Sequence, residues 1–206
     1  MKSPFPAICL FIVLVTGTRV FGEDTETIVL IRHGEKPANE IGQINFEGLN
    51  RALALPDVLL AKFKEPQYIF APGTTDKIKS RKNDGLEYAY LRPLMTIEPT
   101  AIRLGLPINT DFGFLHTQEL EDELLKDKYK STTIFVAWEH HKLDEMVRKM
   151  VADLGGTAVV PDWPHEDYDS IFVVTIHTDE RTRSVDFRVD HEGITPAHAF
   201  PTPAAR

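Results

Sequence analysis

Unbroken apolar runs mark the sheet of this chain. Ile28-Val29-Leu30-Ile31 and Thr132-Thr133-Ile134-Phe135-Val136-Ala137-Trp138 are aliphatic or β-favouring throughout, the pattern of central strands covered on both faces. Tyr68-Ile69-Phe70-Ala71, stopped by Pro72-Gly73, and the short Leu106-Pro107-Ile108-Asn109-Thr110 read as further strands. Between them the period changes to helical. Leu49, Ala52, Leu53, Leu59 and Leu60 predict a helical region over 48–64, kinked or split at Pro56. A second helix opens around Arg92-Pro93, where the missing proline N–H costs nothing, and runs to about Leu104 with Pro99 as a kink. Residues 118–128 form an exposed, charged helix, and Leu143, Met146, Val147, Met150, Val151 and Leu154 give an amphipathic one closed by Gly155-Gly156.

Two runs near the end, 169–176 and 184–189, flank the polar turn Asp179-Glu180-Arg181-Thr182 and predict a closing hairpin. Strands alternating with helices, then a hairpin, predict an α/β fold: a three-layer α/β/α sandwich on a mostly parallel sheet. Residues 73–87, with Lys77, Lys79, Arg81 and Lys82 among small polar residues, are expected to be a mobile surface loop whose cations could steer an anion inward.

The ends of the chain read differently. Lys2 precedes the apolar run 7–15, which the small and polar Thr16-Gly17-Thr18 follow. This is the layout of a secretory signal, too short for the roughly 20 residues a bilayer span needs. Residues 1–22 are therefore expected to be a signal peptide, 23–194 the folded domain and 195–206, with Pro196, Pro201 and Pro203, a disordered tail. That layout implies an exported location, periplasmic or secreted, with no membrane span in the mature form. The net charge is −8, and removing 1–22 takes Lys2 and Arg19 but no acid, so a nucleic-acid partner is not expected. The single cysteine, Cys9, falls in the signal, and no disulfide is expected. Nothing in the pattern sets an oligomeric state.

Composition narrows the chemistry little; the strand ends narrow it more. The first strong strand ends in Arg32-His33-Gly34-Glu35 and the second in Glu139-His140-His141, while Arg92 opens a helix. Side chains at the carboxyl ends of parallel strands face the crevice where open α/β sheets bind ligands. Two imidazoles with two guanidiniums suit phosphoryl chemistry. The guanidinium fork binds non-bridging oxygens, a neutral imidazole is a competent nucleophile, and a second imidazole stabilises the transferring charge. None of this requires a metal or other cofactor. His140-His141 as a metal pair is disfavoured on the expectation that neighbours on a strand point to opposite faces.

Arg32-His33-Gly34-Glu35 after an apolar strand resembles the RHG signature of the histidine phosphatase superfamily, which has the phosphoglycerate-mutase-like fold. Arg92-Pro93-Leu94-Met95-Thr96 is similar to its second motif, an arginine four positions before a threonine at a helix start. Ile134 to His140 is similar to the third, a strand ending in the second histidine. The motifs occur in the family's order over residues 28–141, and the Trp138-Glu139-His140 form resembles that of exported bacterial members. The resemblance implies a phosphatase for a small phosphorylated substrate, with His33 as nucleophile and Arg32, Arg92 and His140 lining the phosphate pocket. His141 stands where better-known members carry Gly or Asp, and is an alternative to the preferred His140. For the proton donor the resemblance offers Asp111 and Glu119, in the segment after the second motif; Glu139 is adjacent to the second histidine but on its other side. Phosphoramidate or anhydride leaving groups depart more easily, and members that cleave them are not bound to a carboxylic acid donor. A non-catalytic phosphate-binding protein of the same fold is the alternative function, and phosphomutase activity a third. Arg51 is expected on a helix surface, Glu35 in a structural turn and Trp138 in the core. His116, His165, His177, His191 and His198 are expected to be solvated.

Overall fold

The structure, a computed structural model, describes residues 24–179 and 182–197. The expected signal at 1–22 lies outside these residues, as does the tail beyond 197.

The central sheet carries β1 (Asp24–Arg32), β2 (Tyr68–Phe70), β5 (Ile108–Asn109), β6 (Thr133–Trp138), β7 (Ser170–Thr178) and β8 (Arg183–His191) in the order β5-β2-β6-β1-β7-β8. β5, β2, β6 and β1 pair in parallel; β7 is antiparallel to β1, and β8 to β7. The mostly parallel sheet and its terminal hairpin match the sequence reading.

Why β1 and β6 do not alternate is visible in the packing. Ile28 and Leu30 face one core, with Leu120 and Leu124 of α3 (Thr117–Leu124) and Leu143, Val147 and Met150 of α4 (His140–Asp153). Val29 and Ile31 face the other, with Leu55 and Leu59 of α1 (Phe46–Lys62) and Ile97 and Ala101 of α2 (Arg92–Leu104). Each strand face is buried under its own helix pair, which gives three layers. A fully buried Val, Leu or Ile side chain contributes roughly 1.5–3 kcal/mol, so both faces of these strand centres favour apolar residues.

Three expectations change. α1 is one continuous helix with Pro56 inside it, neither split nor ended there. The 73–87 loop is partly ordered as a hairpin, β3 (Lys77–Lys79) against β4 (Glu87–Ala89). The expected exposed helix at 118–128 becomes α3 followed by a 3-10 turn at Asp127–Tyr129, and α3 buries one face through Leu120, Glu121 and Leu124.

Strand order also opens the sheet at one edge. β1 leads into α1 on one face of the sheet, whereas its parallel neighbour β6 leads into α4 on the other. Their carboxyl ends therefore diverge and leave a crevice between them.

Candidate active site

β1 and β6 are in register to the last residue, Arg32 opposite Trp138, and the His33 amide donates to the Trp138 carbonyl at 3.1 Å. That bond sets His33 beside Glu139 and the first turn of α4. The two strand ends singled out in the sequence, 107 residues apart from His33 to His140, meet here.

The turn after His33 is held by close backbone approach. A Cβ on Gly34 would come within 2.9 Å of the Gly48 Cα, and one on Gly48 within 2.6 Å of the Glu35 carbonyl, so neither position has room for a side chain. Gly48 is placed by the α1 cap, where Asn45 Oδ1 accepts from its amide at 2.9 Å, an interaction contributing about 1 kcal/mol. From α2, Thr96 Oγ1 accepts from the Gly34 amide at 2.8 Å and donates to the Arg92 carbonyl at 2.8 Å. The threonine of the second motif thus ties its own arginine to the glycine of the first.

Glu35 is held from the other side. Arg51 Nε and Nη2 donate to its carboxylate at 3.1 and 2.8 Å, and Arg51 Nη1 donates to Glu192 at 2.5 Å. Arg51 is buried, contrary to the expectation of a helix-surface residue: α1 turns it inward because two acids wait there. Burial pushes the Glu192 carboxyl up to about 8 despite the opposing pull of Arg51.

His33 is buried, and its Nδ1 lies 2.7 Å from the Gly34 carbonyl. A carbonyl can only accept, so Nδ1 carries the proton and a neutral ring presents an unprotonated Nε2. Burial holds the ring well below its ordinary pKa; the Gly34 carbonyl opposes this, and Arg32 and Arg92 add to it. Tyr90 and Tyr168 meet the ring edge-on at centroid distances of 6.1 and 6.2 Å.

Arg32 donates through Nη1 to the carbonyls of His165 and Asp167, at 2.5 and 2.8 Å, and stacks on the Tyr168 ring 3.8 Å from its centroid. Its buried Nε has no hydrogen-bond partner among the described residues. Arg92 donates through Nε and Nη2 to the carbonyls of Glu40 and Ile41. His140 is 3% exposed, yet among the described residues neither ring nitrogen has a hydrogen-bond partner: Nδ1 sits 2.6 Å from Glu139 Oε1 but out of line for one. A buried polar atom left unpaired costs about 1–3 kcal/mol; at His140 and Arg32 such atoms gather around one space. Burial lowers the His140 pKa, with Glu139 pulling the other way.

These groups line a pocket of about 220 Å³ with Lys36, Lys79, Arg81, Glu40, Phe114, His141 and His165. That is smaller than the roughly 300–1,000 Å³ of pockets for drug-sized ligands. Five cations, Arg32, Arg92, Lys36, Lys79 and Arg81, face two carboxylates, in a protein whose net charge is −8. Such a site favours a small anion.

Of the residues singled out in the sequence, His33, Arg32, Arg92, His140, His141 and Glu139 are brought together here. Asp111 and Glu119 are not. Asp111 is exposed beside the end of β5, where its amide donates to Asn109 Oδ1, and Glu119 is exposed in the first turn of α3. Glu139 caps α4 by accepting from the Lys142 amide at 2.9 Å. Burial works to raise its carboxyl, but His140 and the amides of Lys142 and His141 outweigh it and hold the pKa at about 2. At neutral pH it is ionised and has no proton to give. His140 and His141 do not point to opposite faces. The strand ends at Trp138, both histidines fall in the first turn of α4, and their rings stack with centroids 4.0 Å apart. Trp138 is core, with Nε1 donating to the Phe114 carbonyl.

No protein-family profile matches the chain, and no curated protein matches it. Among solved structures, one assigned as the phosphohistidine phosphatase SixA from Nakamurella multipartitia superposes with a TM-score of 0.52 at 14% identity, over 81% of this chain and 96% of that one. The fold is phosphoglycerate-mutase-like. The mycobacterial glucosyl-3-phosphoglycerate phosphatase Rv2419c, in complex with inorganic phosphate, aligns at a TM-score of 0.45 and 17% identity over 80% of this chain and 95% of that one.

Several site residues carried no signal in the sequence. Tyr90 stands two residues before the second motif but outside it, Tyr168, Phe114 and His165 have no motif around them, and His165 was expected to be solvated. Its ring is exposed, but it lies at the pocket rim because Arg32 binds the 165–167 carbonyls. Lys79 and Arg81 were legible as a basic run, and the β3–β4 hairpin aims them at the pocket.

Proposed function

We propose that this protein is a phosphatase that hydrolyses a small phosphorylated molecule through a phosphohistidine on His33. The observation that carries the reading is the His33 tautomer: Nδ1 is committed to the Gly34 carbonyl, so the neutral ring turns a lone pair at Nε2 toward a pocket lined by cations. Nε2 attacks phosphorus and the leaving group departs with the P–O or P–N electron pair. Water then attacks the phosphohistidine, returning His33 and releasing phosphate. Arg32 Nε, Arg92 and His140 stabilise charge on the non-bridging oxygens, and catalysis rests on this fixed electrostatic arrangement.

The carboxyls that line the pocket are Glu40 and Glu139. Burial works to raise the Glu40 carboxyl, but the Lys36 ammonium, 3.3 Å away, outweighs it and leaves the pKa lowered. With Glu139 ionised too, neither is a proton donor at neutral pH. This favours substrates whose leaving group departs without a carboxylic acid, phosphoramidates and anhydrides over alkyl monoesters. Lys79 and Arg81 would take a second anionic group on the substrate. The ionised carboxylates also favour the second reading, a non-catalytic phosphate-binding protein, since a pocket without an acid can hold an anion it does not turn over.

A panel of phosphoramidates, anhydrides and monoesters, assayed with and without chelator, separates the two. The phosphatase reading expects turnover that chelator leaves intact and His33→Ala abolishes. Saturable vanadate binding with no turnover across the panel would establish the binding protein instead. Export through residues 1–22 belongs to the same proposal; an N-terminus at residue 1 in protein recovered from the producing cell would contradict it.

A further inference from the structure

Three histidines crowd the rim of the pocket, and the phosphatase reading uses one of them. His140 and His141 stack in the first turn of α4, and the His165 ring lies with its centroid 5.5 Å from that of His140. One nitrogen from each lies within 4.8 Å of the others. A tetrahedral ion with Zn–N bonds of about 2.0–2.1 Å needs its ligand nitrogens about 3.4 Å apart. Closing that gap takes roughly an ångström of ring movement, and His141 and His165 are exposed side chains free to supply it. His140 supplies the second observation. It is buried, its two nitrogens are unpaired, and Glu139 Oε1 stands 2.6 Å from Nδ1. Turning the ring into line with Glu139 would pair Nδ1 with that carboxylate and leave Nε2 for the ion, the arrangement that fixes ring orientation and raises ligand basicity in histidine metal sites.

We propose that His140, His141 and His165 bind a divalent transition-metal ion, of the class Zn²⁺, Cu²⁺, Co²⁺ or Ni²⁺, that closes the pocket by taking His140 away from an incoming phosphate. Three neutral imidazoles select these borderline ions over Mg²⁺ and Ca²⁺, which prefer oxygen. Three protein ligands leave the fourth position to water, so the site is open and weaker than a four-ligand structural one. Arg32 and Lys36 stand near His165 and oppose a dication, and ionised Glu139 offsets part of that. The ion is inhibitory here and has no part in the hydrolysis. The competition with phosphate rests on the phosphatase reading; the binding of the ion does not.

The test is a Co²⁺ titration of the tag-free protein in a non-chelating buffer, followed by visible d–d absorption, with Zn²⁺ added to displace the cobalt. The expected result is saturation at one equivalent, reversal by chelator, and affinity lowered at least about tenfold in His141→Ala and in His165→Ala. Both changes are at exposed positions, and thermal melts of the variants check the fold. Vanadate is expected to raise the apparent dissociation constant for Co²⁺. No saturable absorption, or unchanged affinity in a His141→Ala/His165→Ala double variant, would overturn the site. Cobalt affinity that vanadate leaves unchanged would overturn the competition alone. Cobalt binding in a protein inert on the whole substrate panel would retain the site and sink the phosphatase reading, whereas turnover without cobalt binding would do the reverse.

Discussion

Removing the Arg51 guanidinium should cost more than any other single truncation near the pocket. Its side chain is 5% exposed, between Glu35 at 12% and Glu192 at 0%. Arg51→Ala leaves two carboxyls facing a vacated space. Breaking a buried ion pair from one side typically costs about 3–5 kcal/mol, because the remaining charge is neither paired nor hydrated. Burial already pushes the Glu192 carboxyl up to about 8, so that acid can stay neutral at pH 7 and the penalty falls mainly on Glu35. This places the expected loss near the lower end, about 3 kcal/mol. In a domain of this size each kcal/mol shifts the melting temperature by roughly 2–4 °C, so a fall of roughly 6–12 °C is expected. The assay is thermal or urea unfolding of the parent, Arg51→Ala, and Arg51→Met combined with Glu35→Gln and Glu192→Gln. The triple variant removes the charges together with the cation and should recover more than half of the loss. An Arg51→Ala protein melting within about 2 °C of the parent, or a triple variant no better than the single one, would refute a buried Arg51–carboxyl cluster that holds the fold. Since Glu35 follows His33-Gly34, Arg51→Ala should also depress turnover at temperatures where it is still folded.

Two further predictions concern the same framework. Burial raises the Glu26 carboxyl on β1 to about 8 against the pull of Arg183, and neither oxygen has a hydrogen-bond partner among the described residues. A folded-state pKa raised from 4.5 contributes stability that is complete below about 4.5 and is lost as pH rises toward 8. Unfolding free energies measured from pH 5 to 8 should therefore fall with pH, by roughly 3–4 kcal/mol for this one group, and Glu26→Gln should flatten that slope. An identical slope in the variant would remove Glu26 as its source. Gly48→Ala puts a Cβ against the Glu35 backbone, an overpacking cost of about 1–3 kcal/mol. It should lower kcat by more than its melting shift explains, because the displaced backbone carries His33; activity within twofold of the parent at a temperature where both are folded would contradict this.

Much of the scaffold could be read from the chain because its signals are local. β1 and β6 announce themselves as unbroken apolar runs, and their ends carry His33 and His140 in plain sight. What could not be read depends on contacts between distant positions. Nothing near Arg51 in the sequence reports that Glu35 and Glu192, 16 and 141 positions away, meet it inside the fold. His165 looks solvated because its neighbours are polar, and it reaches the pocket only because Arg32 grips carbonyls 133 and 135 positions away. The expected orientation of His140 and His141 failed at a boundary. Two residues counted as strand belong to a helix turn, where neighbouring rings can stack. Asp111 and Glu119 came from a resemblance with no motif to fix their positions, and here both are exposed and outside the pocket lining, beside β5 and in the first turn of α3.

The phosphatase reading of the pocket turns on His33 Nε2 taking a phosphoryl group. Rapid quenching of the protein with a radiolabelled phosphoramidate, followed by peptide mapping, reads that step itself. The expected result is label on the peptide containing His33, stable in base and lost in acid, and absent in His33→Ala. Turnover with no label trapped on His33, or label and activity that persist in His33→Ala, would contradict it.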